Sequence, residues 1–233
     1  MTITILASGQ SNLNNHASTI LFEPSNNVSI WNQTQNISTL DGLGNAYRSL
    51  TSSDNYISVN FACRLAELTG EDIRVFNIGF SGNAIAKWIN SSGVRQINYN
   101  RIEAVLNAAG IDNVDIFLWH QGEADDYAES VANLYRAKWN RLIMALTNDG
   151  YIHSSTPVIA GELAARTTHR WMNPILKNIA SDDLRMGLAK MAQLETTDGV
   201  HFRHESLREA GRRRYIYALS STNTIYKGVA NIG

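Results

Sequence analysis

Five short apolar segments alternate with helix-like segments along the chain, and this alternation limits the possible folds more than any other feature. The strand-like segments are residues 2–7, 73–78, 114–119, 157–161 and 184–191. Strands that alternate with helices across a whole domain predict a parallel sheet that is covered by helices on both faces. The sequence therefore predicts an α/β fold, in which the active site lies at the carboxyl ends of the strands.

The intervening segments carry apolar residues at helical spacing. The predicted helices are residues 59–68, 99–109, 129–146 and about 205–219. Gly70 is expected to cap the first of them, because glycine readily adopts the left-handed conformation that ends many helices. Arg212, Arg213 and Arg214 are expected to lie on the solvated face of the last helix.

Length and composition favour one globular domain over residues 1–233, with 220–233 as either a packed terminal extension or a linker. The net charge of −1 provides no global field that would attract nucleic acid. Cys63 is the single cysteine, which excludes an internal disulfide and a cysteine-based zinc site. Its apolar neighbours predict a buried packing role.

No apolar run reaches the roughly 18 residues that a membrane-spanning helix needs, so no membrane insertion is expected. The apolar N-terminal run is too short and too uncharged for a signal peptide. These features leave the localisation open between the cytoplasm and, for a domain of a bacteriophage tail protein, the virion or the extracellular space.

Residues 12–54 form a long stretch rich in Asn, Ser, Thr and Gln, with Trp31 and Tyr47 scattered through it. A loop of this length in a compact domain is usually functional or disordered. Isolated aromatic side chains among amides and hydroxyls are typical of sugar recognition. Trp31 is therefore expected either to contact a sugar or to anchor the loop to the body of the domain.

Residues for nucleophilic catalysis stand near the two ends of the chain. Ser11 directly follows the first strand, and Asp198-Gly199-Val200-His201 lies close to the last helix. A serine hydroxyl becomes a good nucleophile when an imidazole accepts its proton and a carboxylate orients that imidazole. These three side chains could supply the parts of a serine hydrolase.

Four sequence blocks occur in a fixed order between Gly9 and His201. They are Gly9-Gln10-Ser11-Asn12, the segment from Gly79 to Trp88, the segment from Trp119 to Asp125, and Asp198-Gly199-Val200-His201. This set resembles the SGNH (GDSL-like) hydrolases, in the branch of sialate O-acetylesterases and family 6 carbohydrate esterases. The resemblance implies a flavodoxin-like, three-layer α/β/α sandwich and a serine esterase that removes O-acetyl groups from a carbohydrate through an acetyl-enzyme.

The resemblance also assigns roles to individual residues. It implies Ser11 as the nucleophile, His201 as general base and acid, and Asp198 as the orienting carboxylate. It implies an oxyanion hole made by the backbone N–H groups of Ser11 and Gly82 and the side-chain amide of Gln121, where many members of the wider superfamily have asparagine. The remaining expectations are substrate contacts from Asn12, Trp31 and Asn83, and a loop-organising role, through hydrogen bonds to backbone amides, for Glu123 and Asp125.

The expected partner is an acetylated carbohydrate, with no cofactor, no metal and no nucleic acid; the oligomeric state is left open. Ser81 lies in an incomplete G-x-S-x-G pattern, and His201 and His204 lack a third ligand for a metal. Two alternatives remain at this point. One is a lipase or thioesterase of the same superfamily, and the other is a catalytically silent glycan-binding domain of a phage tail protein.

Overall fold

The computed structural model describes residues 2–14, 25–32, 44, 46–165 and 171–222. They contain a seven-stranded sheet of order β3-β2-β4-β1-β5-β6-β7. The strands are β1 (Thr2–Gly9), β2 (Val28–Trp31), β3 (Tyr47–Ser49), β4 (Asp72–Gly79), β5 (Ile116–His120), β6 (Val158–Gly161) and β7 (Met186–Ala189). All neighbouring strands are parallel except β2 and β3, which pair antiparallel at the edge.

The described helices are α1 (Ser11–Asn14), α2 (Ile57–Thr69), α3 (Ile97–Ala108), α4 (Glu129–Ala132), α5 (Tyr135–Asn148), α6 (Met172–Asp182), α7 (His204–Glu209) and α8 (Ile216–Ser220). A π-helical segment, Ala210–Tyr215, joins α7 to α8, and 3₁₀ turns form at Ile85–Lys87 and Glu123–Asp125. None of these helices is long and apolar enough to cross a membrane.

Two apolar cores lie on opposite faces of the sheet. On one face, α2, α7 and α8 pack against side chains such as Ile5 and Val75. On the other face, α3, α5 and α6 pack against side chains such as Leu6 and Phe117. Successive residues of β1 are therefore buried on alternate faces, as expected for a central parallel strand. This arrangement confirms the predicted α/β fold with helices on both faces of a mostly parallel sheet.

The strand order places the functional edge at the centre of the sheet. Strand β1 lies between β4 and β5; strands β2 to β4 lie on one side of it and strands β5 to β7 on the other, which makes a topological switch point beside β1. Gly9, the last residue of β1, is in register with Gly79 and His120, the last residues of those two neighbours. A Cβ at Gly9 would lie 2.0 Å from the carbonyl oxygen of His120, so this close approach requires glycine.

Several elements differ from the prediction. The strands β2 and β3 lie within the polar stretch 12–54, and α6 was not predicted at all. The segment predicted as one helix over 129–146 is divided into α4 and α5, and the last predicted helix is interrupted by the π-helical segment. The Gly70 cap is confirmed: its φ is 72°, and its N–H donates to the carbonyl of Ala66 at 2.8 Å.

Candidate active site at the carboxyl edge of the sheet

Ser11, His201 and Asp198 lie side by side at the carboxyl edge of the sheet. Ser11 is the first residue of α1, directly beyond β1, and His201 lies in the loop before α7. The Nε2 atom of His201 is 2.9 Å from the Ser11 Oγ, and its Nδ1 is 2.7 Å from the Asp198 Oδ2. With the proton on Nδ1 donated to Asp198, Nε2 is free to accept the proton of the Ser11 hydroxyl.

Asp198 is held by its own loop as well as by the imidazole. Its Oδ1 accepts the backbone N–H groups of Val200 and His201, both at 2.8 Å. Gly199 has a φ of 82°, a conformation that favours glycine and turns the chain back toward the carboxylate. The hydrogen bonds from the His201 backbone, the His201 ring and the Val200 backbone lower the pKa of Asp198 well below its usual value. The carboxylate therefore stays ionised at neutral pH.

Two backbone N–H groups come just after neighbouring strands: that of Ser11 follows β1, and that of Gly82 follows β4. Those of Ser11 and Gly82 donate to no acceptor within the described part of the chain. Gly82 is solvent-exposed, has a φ of 70°, and has open space where a Cβ would project. Unpaired N–H groups on adjacent loops can bind the negative oxygen of a tetrahedral intermediate.

Gln121 is placed differently from the expectation. It is fully buried, and its Nε2 lies 2.7 Å from the Asp125 Oδ2, 3.0 Å from the Gln10 Oε1 and 3.1 Å from the Asn83 carbonyl oxygen. An amide nitrogen carries two hydrogens, and three acceptors already surround them. In this arrangement Gln121 braces the loop that carries Gly82 and has no hydrogen left for an oxyanion.

Of the three expected substrate-binding residues, two are buried in contacts within the protein. Trp31 is 5% exposed and packs on Tyr47 and Phe76, with ring centroids 4.9 and 5.8 Å away. It anchors β2 to the body of the domain, the second of its two predicted roles. Asn12 is fully buried, and both polar atoms of its side chain bond to protein groups. Asn83 alone is partly exposed, beside Gly82.

Glu123 and Asp125, in the 3₁₀ turn that follows β5, both organise loops, but in different ways. Asp125 accepts the backbone N–H of Ile85 at 2.8 Å as well as the Gln121 amide, so it holds the Gly82 loop as predicted. Burial raises the pKa of Asp125 in spite of these hydrogen bonds. Glu123 instead accepts the side chain of Asn12 at 2.7 Å. Its partners thus include a side-chain amide as well as a backbone N–H, that of Glu123 itself.

Comparison with family models decides the family of this chain. The model described as carbohydrate esterase, sialic acid-specific acetylesterase, matches residues 2–220. The chain belongs to this family of carbohydrate esterases. The predicted family is thereby confirmed, and with it the prediction of a carboxylic ester hydrolase that acts on O-acetylated sugars. No curated protein matches the sequence.

Solved structures share the fold of this carbohydrate esterase. A protein from Arabidopsis thaliana is 17% identical, with a TM-score of 0.72 over 93% of this chain and 98% of its own. A carbohydrate acetylesterase from Xanthomonas citri is also 17% identical, with a TM-score of 0.72 over 94% of this chain but 56% of its own. NanS is 12% identical, with a TM-score of 0.62 over 94% of this chain and 96% of its own.

Other potential reactive groups of the esterase are unsuited to catalysis or metal binding. Cys63 is 1% exposed, and burial raises the pKa of its thiol to about 11, so the thiol stays protonated at neutral pH. Its predicted packing role is confirmed. No group of three or more His, Cys, Asp or Glu side chains among the described residues is placed to hold a metal ion.

Sequence reasoning assigned no role to Gln10, although it precedes the nucleophile. Gln10 is 3% exposed, and its Oε1 also accepts the backbone N–H of Ala124 at 3.1 Å. His120 is fully buried at the end of β5, where its Nδ1 lies 3.3 Å from the Tyr215 hydroxyl. The sequence did carry a signal for Gln10 and His120, because both are polar residues at or just beyond the ends of otherwise apolar strands.

The contacts of Gln121 predict that Gln121→Ala lowers stability and kcat together. Truncation removes the Gln121 donor from the buried Gln10 and Asp125 oxygens, which keep only their backbone N–H donors, at a cost of about 1–3 kcal/mol in the free energy of unfolding. Urea denaturation and steady-state kinetics on the same preparation test this expectation. A variant with unchanged stability and a selective loss of kcat would instead show that Gln121 moves in catalysis to donate to the oxyanion.

Proposed function

We propose that this carbohydrate esterase removes O-acetyl groups from a sugar by a serine mechanism, with Ser11 as nucleophile, His201 as general base and acid, and Asp198 as the orienting group. The observation that carries the proposal is the continuous hydrogen-bond chain from the Ser11 Oγ through both nitrogens of His201 to Asp198. Membership of the esterase family supports it independently.

In the acylation step, the Ser11 oxygen attacks the acetyl carbonyl carbon while His201 Nε2 takes the hydroxyl proton. The carbonyl π electrons move to oxygen, and in this proposal the backbone N–H groups of Ser11 and Gly82 donate to the resulting oxyanion. When the intermediate collapses, the bond to the sugar oxygen breaks, and the imidazolium returns its proton to that oxygen. The sugar leaves as a free alcohol, and the acetyl group remains on Ser11.

In the deacylation step, His201 deprotonates a water molecule that attacks the acetyl carbonyl. The second tetrahedral intermediate releases Ser11 with its proton restored, and acetate leaves. The imidazolium that forms in both steps lies against the ionised Asp198, which stabilises its charge. The two half-reactions together consume one ester and one water and yield one alcohol and one acetic acid, with no further reactant required.

An acetate-release assay on O-acetylated sialic acid, acetylated xylan and acetylated bacterial polysaccharides tests this function. We expect release from at least one sugar ester, with short acyl chains preferred over long ones. Since no step uses a Lewis acid, the rate is expected to be unchanged after treatment with a strong chelator. Hydrolysis of long-chain lipid esters or thioesters alone would favour the lipase alternative, and a chelator-sensitive rate would contradict the mechanism.

A further inference from the structure

Asn12 connects the helix that carries Ser11 with the loop that carries His201. Its Nδ2 donates to the carbonyl of Val200 at 3.0 Å, and its Oδ1 accepts the backbone N–H of Phe202 at 3.0 Å. Val200 and Phe202 are the residues on either side of His201. Asn12 also immediately follows Ser11. Its side chain therefore connects the residue next to the nucleophile with the two residues next to the base, beside the 2.9 Å contact between Ser11 and His201.

The hydrogen bonds inside the His201 loop cannot set this distance. The backbone N–H of Thr197 donates to the carbonyl of His201 at 2.8 Å, and Asp198 accepts two N–H groups of the same loop. These bonds fix the shape of the loop. Its separation from α1 depends on contacts between the two segments, among which the pair of Asn12 bonds is directly adjacent to the reacting groups.

Glu123 adds a third hydrogen bond that favours the same orientation of the Asn12 amide. Its Oε1 accepts the second hydrogen of Asn12 Nδ2 at 2.7 Å. A carboxylate and a carbonyl can only accept hydrogen bonds, so Nδ2 faces both Glu123 and Val200, and Oδ1 faces the Phe202 N–H. A flip of the amide would break all three bonds, and Glu123 raises the cost of that flip.

Glu123 occupies a costly position for a carboxylate. Its side chain is 6% exposed, and it lies 3.4 Å from the Nε2 of the fully buried His120. Burial acts to raise the pKa of Glu123, but the contacts with His120 and Asn12 outweigh burial and lower it. A buried ionic group often stabilises a protein no better than an apolar side chain of similar volume. A role in orienting Asn12 accounts for a carboxylate at this position.

We infer that Asn12 and Glu123 are positioning residues of the esterase: Asn12 holds His201 at hydrogen-bonding distance from Ser11, and Glu123 reinforces the orientation of the Asn12 amide. This inference rests on the proposed function. Misplacement of a catalytic group by about 1 Å can cost roughly 10²-fold in rate. Loss of Asn12 is therefore expected to lower kcat by about 10²-fold, while KM for an aryl acetate changes little.

A double-mutant cycle tests the pair. Asn12→Asp places two carboxylates in contact, so its kcat is expected to fall at least as far as that of Asn12→Ala. In the double variant that adds Glu123→Gln, the amide introduced at position 123 can donate to the carboxylate introduced at position 12. That carboxylate can still accept the backbone N–H of Phe202, so the pair regains one donor and one acceptor. The double variant is expected to be at least about tenfold more active than Asn12→Asp, since residues in contact show non-additive effects. Asn178→Asp, at an exposed position on α6, controls for the added charge.

Glu123→Met is a second variant that serves if the Asn12 variants fail to fold. Methionine fills a similar volume but leaves the buried Asn12 and His120 nitrogens without the carboxylate acceptor, so the melting temperature is expected to fall. When kcat is measured well below the unfolding transition, it is expected to fall about tenfold or more. Purely additive effects in the cycle, or wild-type kcat in a folded Asn12→Ala or Glu123→Met protein, would overturn the inference. Wild-type protein assayed alongside distinguishes this result from failure of the proposed function, in which case the wild type itself would release no acetate.

Discussion

Ser11→Ala is expected to abolish acetate release and to leave the fold intact. The variant removes the hydroxyl that lies 2.9 Å from His201 Nε2, and the single cysteine is buried with a raised pKa. By analogy with other serine hydrolases, the expected loss is on the order of 10⁶-fold in kcat. Steady-state turnover of an aryl acetate, with thermal unfolding measured in parallel, tests this expectation.

Ser181→Ala is the matched control for the loss of a serine hydroxyl. Ser181 lies exposed near the end of α6, where its Oγ donates to the carbonyl of Asn178. Its replacement is expected to leave kcat unchanged. Retention of more than a small fraction of turnover in Ser11→Ala would show that another group acts as the nucleophile.

Asp198→Asn is expected to lower kcat by about 10⁴-fold, the loss seen when a triad carboxylate is replaced by its amide. The asparagine oxygen can still accept from the Val200 and His201 backbones, so the loop is expected to keep its shape. Its NH₂ group would then face His201 Nδ1 and favour the tautomer with the proton on Nε2. That tautomer cannot accept the proton of Ser11.

Asp182→Asn provides the control for the loss of one negative charge. Asp182 pairs with Arg136 on the exposed surface, and its replacement is expected to leave kcat unchanged. The test is a comparison of kcat for Asp198→Asn, Asp182→Asn and the wild type at several pH values. Equal activity of Asp198→Asn and wild type would show that the contact with Asp198 does not control the imidazole tautomer.

The sequence predicted the central sheet because its strands are short apolar runs that fall between amphipathic helices. It missed β2 and β3, since both are short and lie at the edge of the sheet within a polar stretch. Their residues gain stability from contacts such as Trp31 with Phe76, which depend on a partner strand far along the chain. Helix α6 was missed although the sequence carries a signal for it, because its buried residues Met172, Leu176 and Ile179 stand at helical spacing.

The triad residues could be proposed from the sequence because they stand in ordered blocks that resemble those of the SGNH hydrolases. The roles of the flanking amides could not. Asn12 was expected at the substrate, but its partners lie 111 and 188 residues away, and they enclose it completely. Gln121 was expected to face the oxyanion, and burial against Gln10 and Asp125 gives it three acceptors instead. The direction of an amide is set by tertiary contacts that local sequence does not encode.

Trapping the acyl-enzyme tests the assignment of Ser11 most directly. The esterase would be mixed with an excess of an aryl acetate, quenched in acid during turnover and digested for peptide mass spectrometry. We predict one acetyl group on the peptide that contains Ser11, and none on that peptide in Ser11→Ala or after the substrate is exhausted. An acetyl group on a different residue during turnover, or rapid turnover with no covalent adduct in a quench fast enough to capture one, would contradict the account.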